Sequence, residues 1–242
     1  MCDMIHEVLG HGVACALTPG VKALSLSTVA LQTSASNRFV ASAGSIVNVA
    51  VGVVLLALVG RRQPFGLTGY FLWLLATLNL LNGTGYLLFS SILNIGDWAV
   101  VIEGGRPHWL WRTIMGVVGI AAYARLVSLS ATTLGGFVRS GQLALGDVRR
   151  LVIVAYIAGG LLLVAGAARN SIDPSLVLTS GASSGFGAMM GMLFVPGIVH
   201  GLAGGSAPAA AVLRTSFRWV IAGALTAFVF IAVLGPGIPL TK

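Results

Sequence analysis

Polar residues fall in short islands along this chain, and the apolar stretches between them are long. A helix that crosses a bilayer needs ~20 predominantly apolar residues. Residues 39–59 make such a run, closed by Arg61-Arg62-Gln63-Pro64. Residues 67–95 make another, longer than a span requires and interrupted by Asn79, Asn82, Gly83 and Gly85. That interruption predicts one broken helix, or a helix with a re-entrant piece. Residues 109–134 carry Arg112 near one end and Arg125 inside, and residues 151–168 are bracketed by Arg149-Arg150 and Arg169. Residues 176–202 are rich in Gly and Met, and residues 219–234 run into Gly-Pro-Gly-Ile-Pro. Counting the opening segment, residues 4–17, which is short for a span, the pattern predicts about six or seven transmembrane helices in a single domain.

Between the first two helices, residues 21–33 alternate loosely, with Val21, Ala23, Leu24, Leu26, Val29 and Leu31 separated by Ser, Thr and Gln. Alternation of this kind predicts a short strand or hairpin beside the helices. At membrane depth such backbone must be buried in protein or line a water-filled cavity. The expected fold is therefore an all-α membrane protein with a short β-like segment after its first helix.

Composition agrees. Of 242 residues, 57% are hydrophobic and 8% charged, against ~25% charged in soluble domains. A soluble enzyme, a disordered chain and a nucleic-acid-binding domain are thereby disfavoured. The net charge of +8 does not alter this, because the cations sit singly or in pairs between apolar runs, as at Arg61-Arg62, Arg149-Arg150, Arg214 and Arg218. Cations so placed are held at lipid headgroups, which makes membrane lipid the expected partner and not nucleic acid. Strict alternation of spans puts Arg61, Arg62, Arg139, Arg149, Arg150, Arg214 and Arg218 on one side, with Lys22, Arg38, Arg106, Arg112, Arg169 and Lys242 on the other. The slightly richer side, with the N-terminus, is expected to be cytoplasmic in a multi-pass protein of the cell membrane. The first residues lack the basic region of a cleavable signal peptide. Cys2 and Cys15 would lie ~20 Å apart on one helix, too far to bridge.

The chemistry concentrates in His6-Glu7-Val8-Leu9-Gly10-His11, inside the first apolar segment. Ionisable groups in a membrane segment are costly and mark function by default. Histidine supplies neutral nitrogen ligands to zinc, and a neighbouring glutamate can take the proton of a metal-bound water. The usual spacing, His-Glu-x-x-His, puts its histidines ~40° apart around a helix. Here one extra residue would separate them by ~140° in a regular helix. A π-bulge near Leu9-Gly10 would bring them together, and Gly10 offers it little resistance. Alternatively, Asp3, Glu7 and His11 form one stripe of an undistorted helix and could themselves be ligands. A polar helix end at the headgroup boundary is the plainer reading.

The motif His-Glu-x-x-Gly-His, matched by His6, Glu7, Gly10 and His11, resembles the expanded zinc motif of the dipeptidyl peptidase III family. The overall plan resembles the site-2 protease family of intramembrane zinc metalloproteases over residues 1–100, with additional helices in 101–242. That family follows its His-Glu helix with β-like segments and a span carrying Gly-Pro-x-x-Asn, where this chain has Gly44-Ser45-Ile46-Val47-Asn48. The resemblance implies a third ligand, an aspartate, from a later Asn-x-x-Pro…Leu-Asp-Gly pattern. Here Asn79-Leu80-Leu81-Asn82 stands without the proline, and Asn94-Ile95-Gly96-Asp97 brings the acid about ten residues late.

Asp97 leads as third ligand on physical grounds also, since two histidines from one helix leave a zinc short of protein ligands. The interruption at 79–85 is expected to let the chain bend back and carry Asp97 to the first helix; a loop acid beside Trp98 is the other reading. Glu103, His108, His200 and Asp3 are the remaining candidates. His108, between Arg106-Pro107 and Trp109, reads as an interface anchor, and His200 as a packing residue. Asn48 would donate to a substrate carbonyl or oxyanion, or make an interhelical hydrogen bond. Gly181–Gly187 reads as small-residue packing. The expected function is an intramembrane zinc metallopeptidase acting on membrane-associated protein or peptide substrates. His6, His11 and Asp97 would hold Zn2+, and Glu7 would activate water with Asn48 assisting. A transporter or channel-like protein, its path formed by the broken third span and the Gly-rich stretch, is the alternative.

Overall fold

A computed structural model of the chain describes residues 1–61, 65–170, 175–204 and 215–240. Arg62, Gln63, Pro64, Arg214 and Lys242, used above for a span boundary or for orientation, lie outside the described residues. Helix α1 (residues 2–17) is followed by strands β1 (Ala23–Leu26) and β2 (Leu31–Thr33). Then come α2 (Arg38–Gly60), α3 (Gly66–Leu93), the short α4 (Asp97–Val101), α5 (His108–Arg139) and α6 (Leu145–Ala167). Helices α7 (Val177–Ala203) and α8 (Phe217–Leu234) follow, and then strand β3 (Ile238–Pro239).

Among the described residues, six helices, α2, α3 and α5 to α8, are long and apolar enough to cross a membrane. They correspond to the six apolar runs of the sequence. Helix α1, ~24 Å long at 1.5 Å per residue, is shorter than the ~30 Å hydrocarbon core. The expected β-like segment is an antiparallel hairpin in which Leu26 faces Leu31. A third strand was not foreseen. β3 pairs with β1 through Leu26 and Ile238, and the sheet order is β2-β1-β3. Two residues of a Pro-containing tail carry no strand periodicity, so only the tertiary fold could place them there.

The packing inverts that of a soluble helix. The buried face of α2 carries Gly44, Ser45, Asn48 and Gly52, while Ile46, Val53, Val54 and Leu58 point outward. Lipid tails are as apolar as leucine, so large side chains gain nothing by leaving them, whereas small residues let backbones approach. A Cβ on Gly83 of α3 would come within 2.7 Å of the Ser45 carbonyl oxygen. Helix α3 is accordingly the central one, with 61% of its most apolar stretch buried against 6% for α8. Its Trp73, Leu80 and Leu81 meet Leu134 and Val138 of α5, Val148 and Val152 of α6, and Met192 of α7 in the main core.

The expected break in α3 is absent: the helix runs continuously from Gly66 to Leu93. Asn79, Asn82, Gly83 and Gly85 are all buried, so they face protein rather than interrupting a lipid-facing surface. Asn79 Nδ2 and Thr84 Oγ1 each bond a carbonyl one turn back, on Leu75 and Leu80, at 2.8 Å. Irregularity falls instead on α7, which is π-helical over Val177–Gly187, 3-10 over Ala188–Leu193 and α-helical over Val195–Ala203, and on the end of α8, π-helical over Val229–Leu234.

Candidate metal centre

Helix α1 turns its ionisable side inward. His6, Glu7, Gly10 and His11 are buried, while Val8, Leu9, Val13 and Leu17 are exposed. The segment Ile5–Gly12 is π-helical. Bonding from i to i+5 brings residues five apart onto one side of the helix, which is what the six-residue motif requires. The His6 and His11 rings lie 4.6 Å apart between centroids, edge to face at 85°. The distortion predicted near Leu9-Gly10 is thus present and spans two turns. The neighbour that accommodates it is α2, because a Cβ on Gly44 would come within 2.5 Å of His6 Nε2.

Asp97 closes the group. Its Oδ2 is 2.9 Å from His6 Nε2 and 3.3 Å from His11 Nε2. What returns it to α1 is not a break in α3 but the turn that follows it. Asn94 is left-handed at φ 55° and Gly96 has φ 76° and ψ −169°, a region open essentially to glycine alone. Burial alone would push the Asp97 carboxyl up, but hydrogen bonds from His11 and His6 outweigh it and hold the group well below the usual carboxylate range.

The donor set fits a metal. The three ligand atoms lie within 4.8 Å of one another, and two histidines with one carboxylate leave an open position on a tetrahedral zinc. His11 Nδ1 donates to the Val40 carbonyl at 2.7 Å. That bond fixes the ring's orientation and leaves Nε2 as the nitrogen that faces Asp97, the outer support metal-binding histidines use.

Glu7 is not part of this set but stands beside it. Its Oε2 accepts the backbone N–H of Leu31 in β2 at 2.7 Å, and Oε1 has no hydrogen-bond partner among the described residues. The hairpin thus holds the glutamate. Glu7, His11 and Asp97 line one cavity of about 130 Å³, together with Ala30, Tyr86, Thr179 and Ser180.

The other candidates lie elsewhere. Asp3 lines a separate cavity with Met1 and Cys2, so the Asp3, Glu7, His11 stripe is not assembled. Glu103 is exposed, and its carbonyl accepts from Arg38. His108 pairs with Asn94 Oδ1 at 3.0 Å, which suits an anchor, and His200 is exposed. Asn48 does not reach the cavity as its expected oxyanion role requires. It is fully buried between helices and donates to the Cys2 thiol at 3.4 Å, the interhelical bond that was the other reading. Both cysteines are free.

Two participants escaped the sequence. Tyr86 stacks on His6 with ring centroids 4.7 Å apart, and Ser184 donates to the Tyr86 hydroxyl at 3.4 Å. The Gly181–Gly187 stretch therefore does more than pack. The signal was the polar stripe Asn79, Asn82, Tyr86 on α3, which reads equally as an interruption. In comparisons with protein-family models, curated protein sequences and solved structures, nothing matches this chain.

Proposed function

We propose that this protein is an intramembrane zinc metallopeptidase of the site-2 protease type, acting on membrane-associated protein or peptide substrates in the cell membrane. The observation that carries the reading is the convergence of His6, His11 and Asp97 on one point, with Glu7 on the same cavity but outside the ligand set. Zinc held there would polarise a carbonyl and lower the pKa of water. Glu7 is the general base: it takes the proton of the attacking water and returns it to the leaving nitrogen as the C–N bond breaks. The Leu31 N–H fixes one oxygen of Glu7, so the other is presented to the cavity in one orientation. Val40 and Gly44 keep the two imidazoles in place.

Two histidines and a carboxylate also serve Fe(II) in oxygenases. A free carboxylate beside the site favours hydrolysis, since proton transfer is what such a group adds. The transporter reading loses one of its two supports, because α3 is continuous. The test is Glu7→Gln in the purified full chain, read by metal content and by cleavage of peptides copied from membrane segments. Loss of cleavage with zinc retained supports the reading, and unchanged cleavage removes it.

A further inference from the structure

Tyr86 is the one phenol on the cavity, and the proton-transfer scheme above leaves it without a task. Its ring lies nearly parallel to that of His6, at 26°, and the residue is almost wholly buried. Its oxygen accepts from Ser184 Oγ, itself buried in the π-helical part of α7. A tyrosine hydroxyl has one proton to donate, and that proton has no acceptor among the described residues. Tyr86 thus lines a cavity shared with Glu7, His11 and Asp97, and its hydroxyl is engaged by Ser184.

Amide hydrolysis needs such a group. As water adds, the carbonyl π pair moves onto oxygen, and a preplaced donor in a water-poor site stabilises the charge as it develops. Asn48, bonded to Cys2, is not on the cavity, whereas Tyr86 is. Resting on the hydrolase reading, we propose that the Tyr86 O–H is a catalytic residue that donates a hydrogen bond to the substrate oxyanion, with Ser184 as its positioning residue. Tyr86 keeps its proton throughout; the C–O bond forms with water, Glu7 carries the proton, and the C–N bond breaks. The bond from Ser184 fixes the hydroxyl rotor and strengthens donation from the phenol by polarisation.

Phenylalanine at this position keeps the stacking on His6 and removes only the hydroxyl, so Tyr86→Phe separates donation from packing. Purified full chain in detergent is loaded with cobalt(II), and its d–d absorption is titrated with acetohydroxamate, whose ionised oxygen stands in for the oxyanion. Tyr86→Phe is expected to keep the cobalt spectrum and affinity but to bind acetohydroxamate about 10- to 100-fold more weakly, as for loss of a hydrogen bond to a charged group. Ser184→Ala is expected to weaken it about threefold, a partial loss of the same bond. Equal acetohydroxamate affinity in wild type and Tyr86→Phe overturns the donor role while leaving the metal centre standing. Wild-type protein that takes up no cobalt overturns the metal centre and this proposal together. Should Tyr86→Phe itself take up no cobalt, Ser184→Ala decides: weakened acetohydroxamate binding supports the donor role, and unchanged binding overturns it.

Discussion

Gly10 of α1 packs directly on Gly44 of α2, so closely that a Cβ on Gly10 would overlap the Gly44 backbone. The same Gly44 abuts the His6 imidazole. One helix contact therefore sets both the approach of α1 and the position of a ligand. Gly10→Ala forces backbone against backbone and is expected to lower stability by about 1–3 kcal/mol, the usual range for overpacking. Gly44→Ala should instead displace His6 and lower zinc affinity about tenfold or more while the fold survives. Thermal unfolding in detergent and zinc competition against a chelator separate the two effects.

Asp97→Ala removes the one member of the described His6, His11 and Asp97 group that comes from outside α1. Loss of an outer-shell support alone costs about 10- to 100-fold in metal affinity, so loss of a ligand should cost at least about 100-fold. Zinc stoichiometry after dialysis should fall accordingly, with the helical signal unchanged. Full zinc retention would show that Asp97 is not a ligand.

Zinc occupancy should fall on acidification, because binding needs neutral imidazoles and releases their protons. Asp97 is not the group that titrates. Its pKa is depressed, so its contribution is present above the ordinary carboxylate value of ~3.9 and is lost only as pH falls through its lower folded value. Zinc content measured from neutral pH downward should drop, and a flat profile would contradict ligation by His6 and His11.

Asn48→Ala distinguishes an interhelical role from a catalytic one. Losing the bond to Cys2 should cost roughly 0.5–1.5 kcal/mol, the range for polar contacts between membrane helices. Zinc content and peptide cleavage should stay at wild-type levels. A large fall in cleavage with stability preserved would return Asn48 to the catalytic machinery.

Much was legible in the residues themselves. Length and hydropathy alone called for helices long and apolar enough to span a bilayer, because unpaired backbone in lipid is too costly for anything but helices or closed barrels. Shared ligation by His6 and His11 across the extra residue of His6-Glu7-Val8-Leu9-Gly10-His11 requires a non-α backbone, since angular spacing along a helix is a local property, whereas the Asp3, Glu7, His11 stripe would have fitted an undistorted one. What local pattern could not decide was direction. Asn79, Asn82 and Gly83 read as a break when their surroundings are taken to be lipid, but they form a continuous helix once α2 and α7 surround them. Asp97 was named from its chemistry, yet the turn that delivers it, Asn94 to Gly96, is far from α1 in sequence and adjacent only in the fold. Asn48 and Tyr86 were indistinguishable as polar groups on spans; which of them meets the cavity depends on the crossing of α1, α2 and α3. Periodicity reports the environment averaged over a helix face, whereas a site is made where faces of different helices meet, and that meeting is set by tertiary packing.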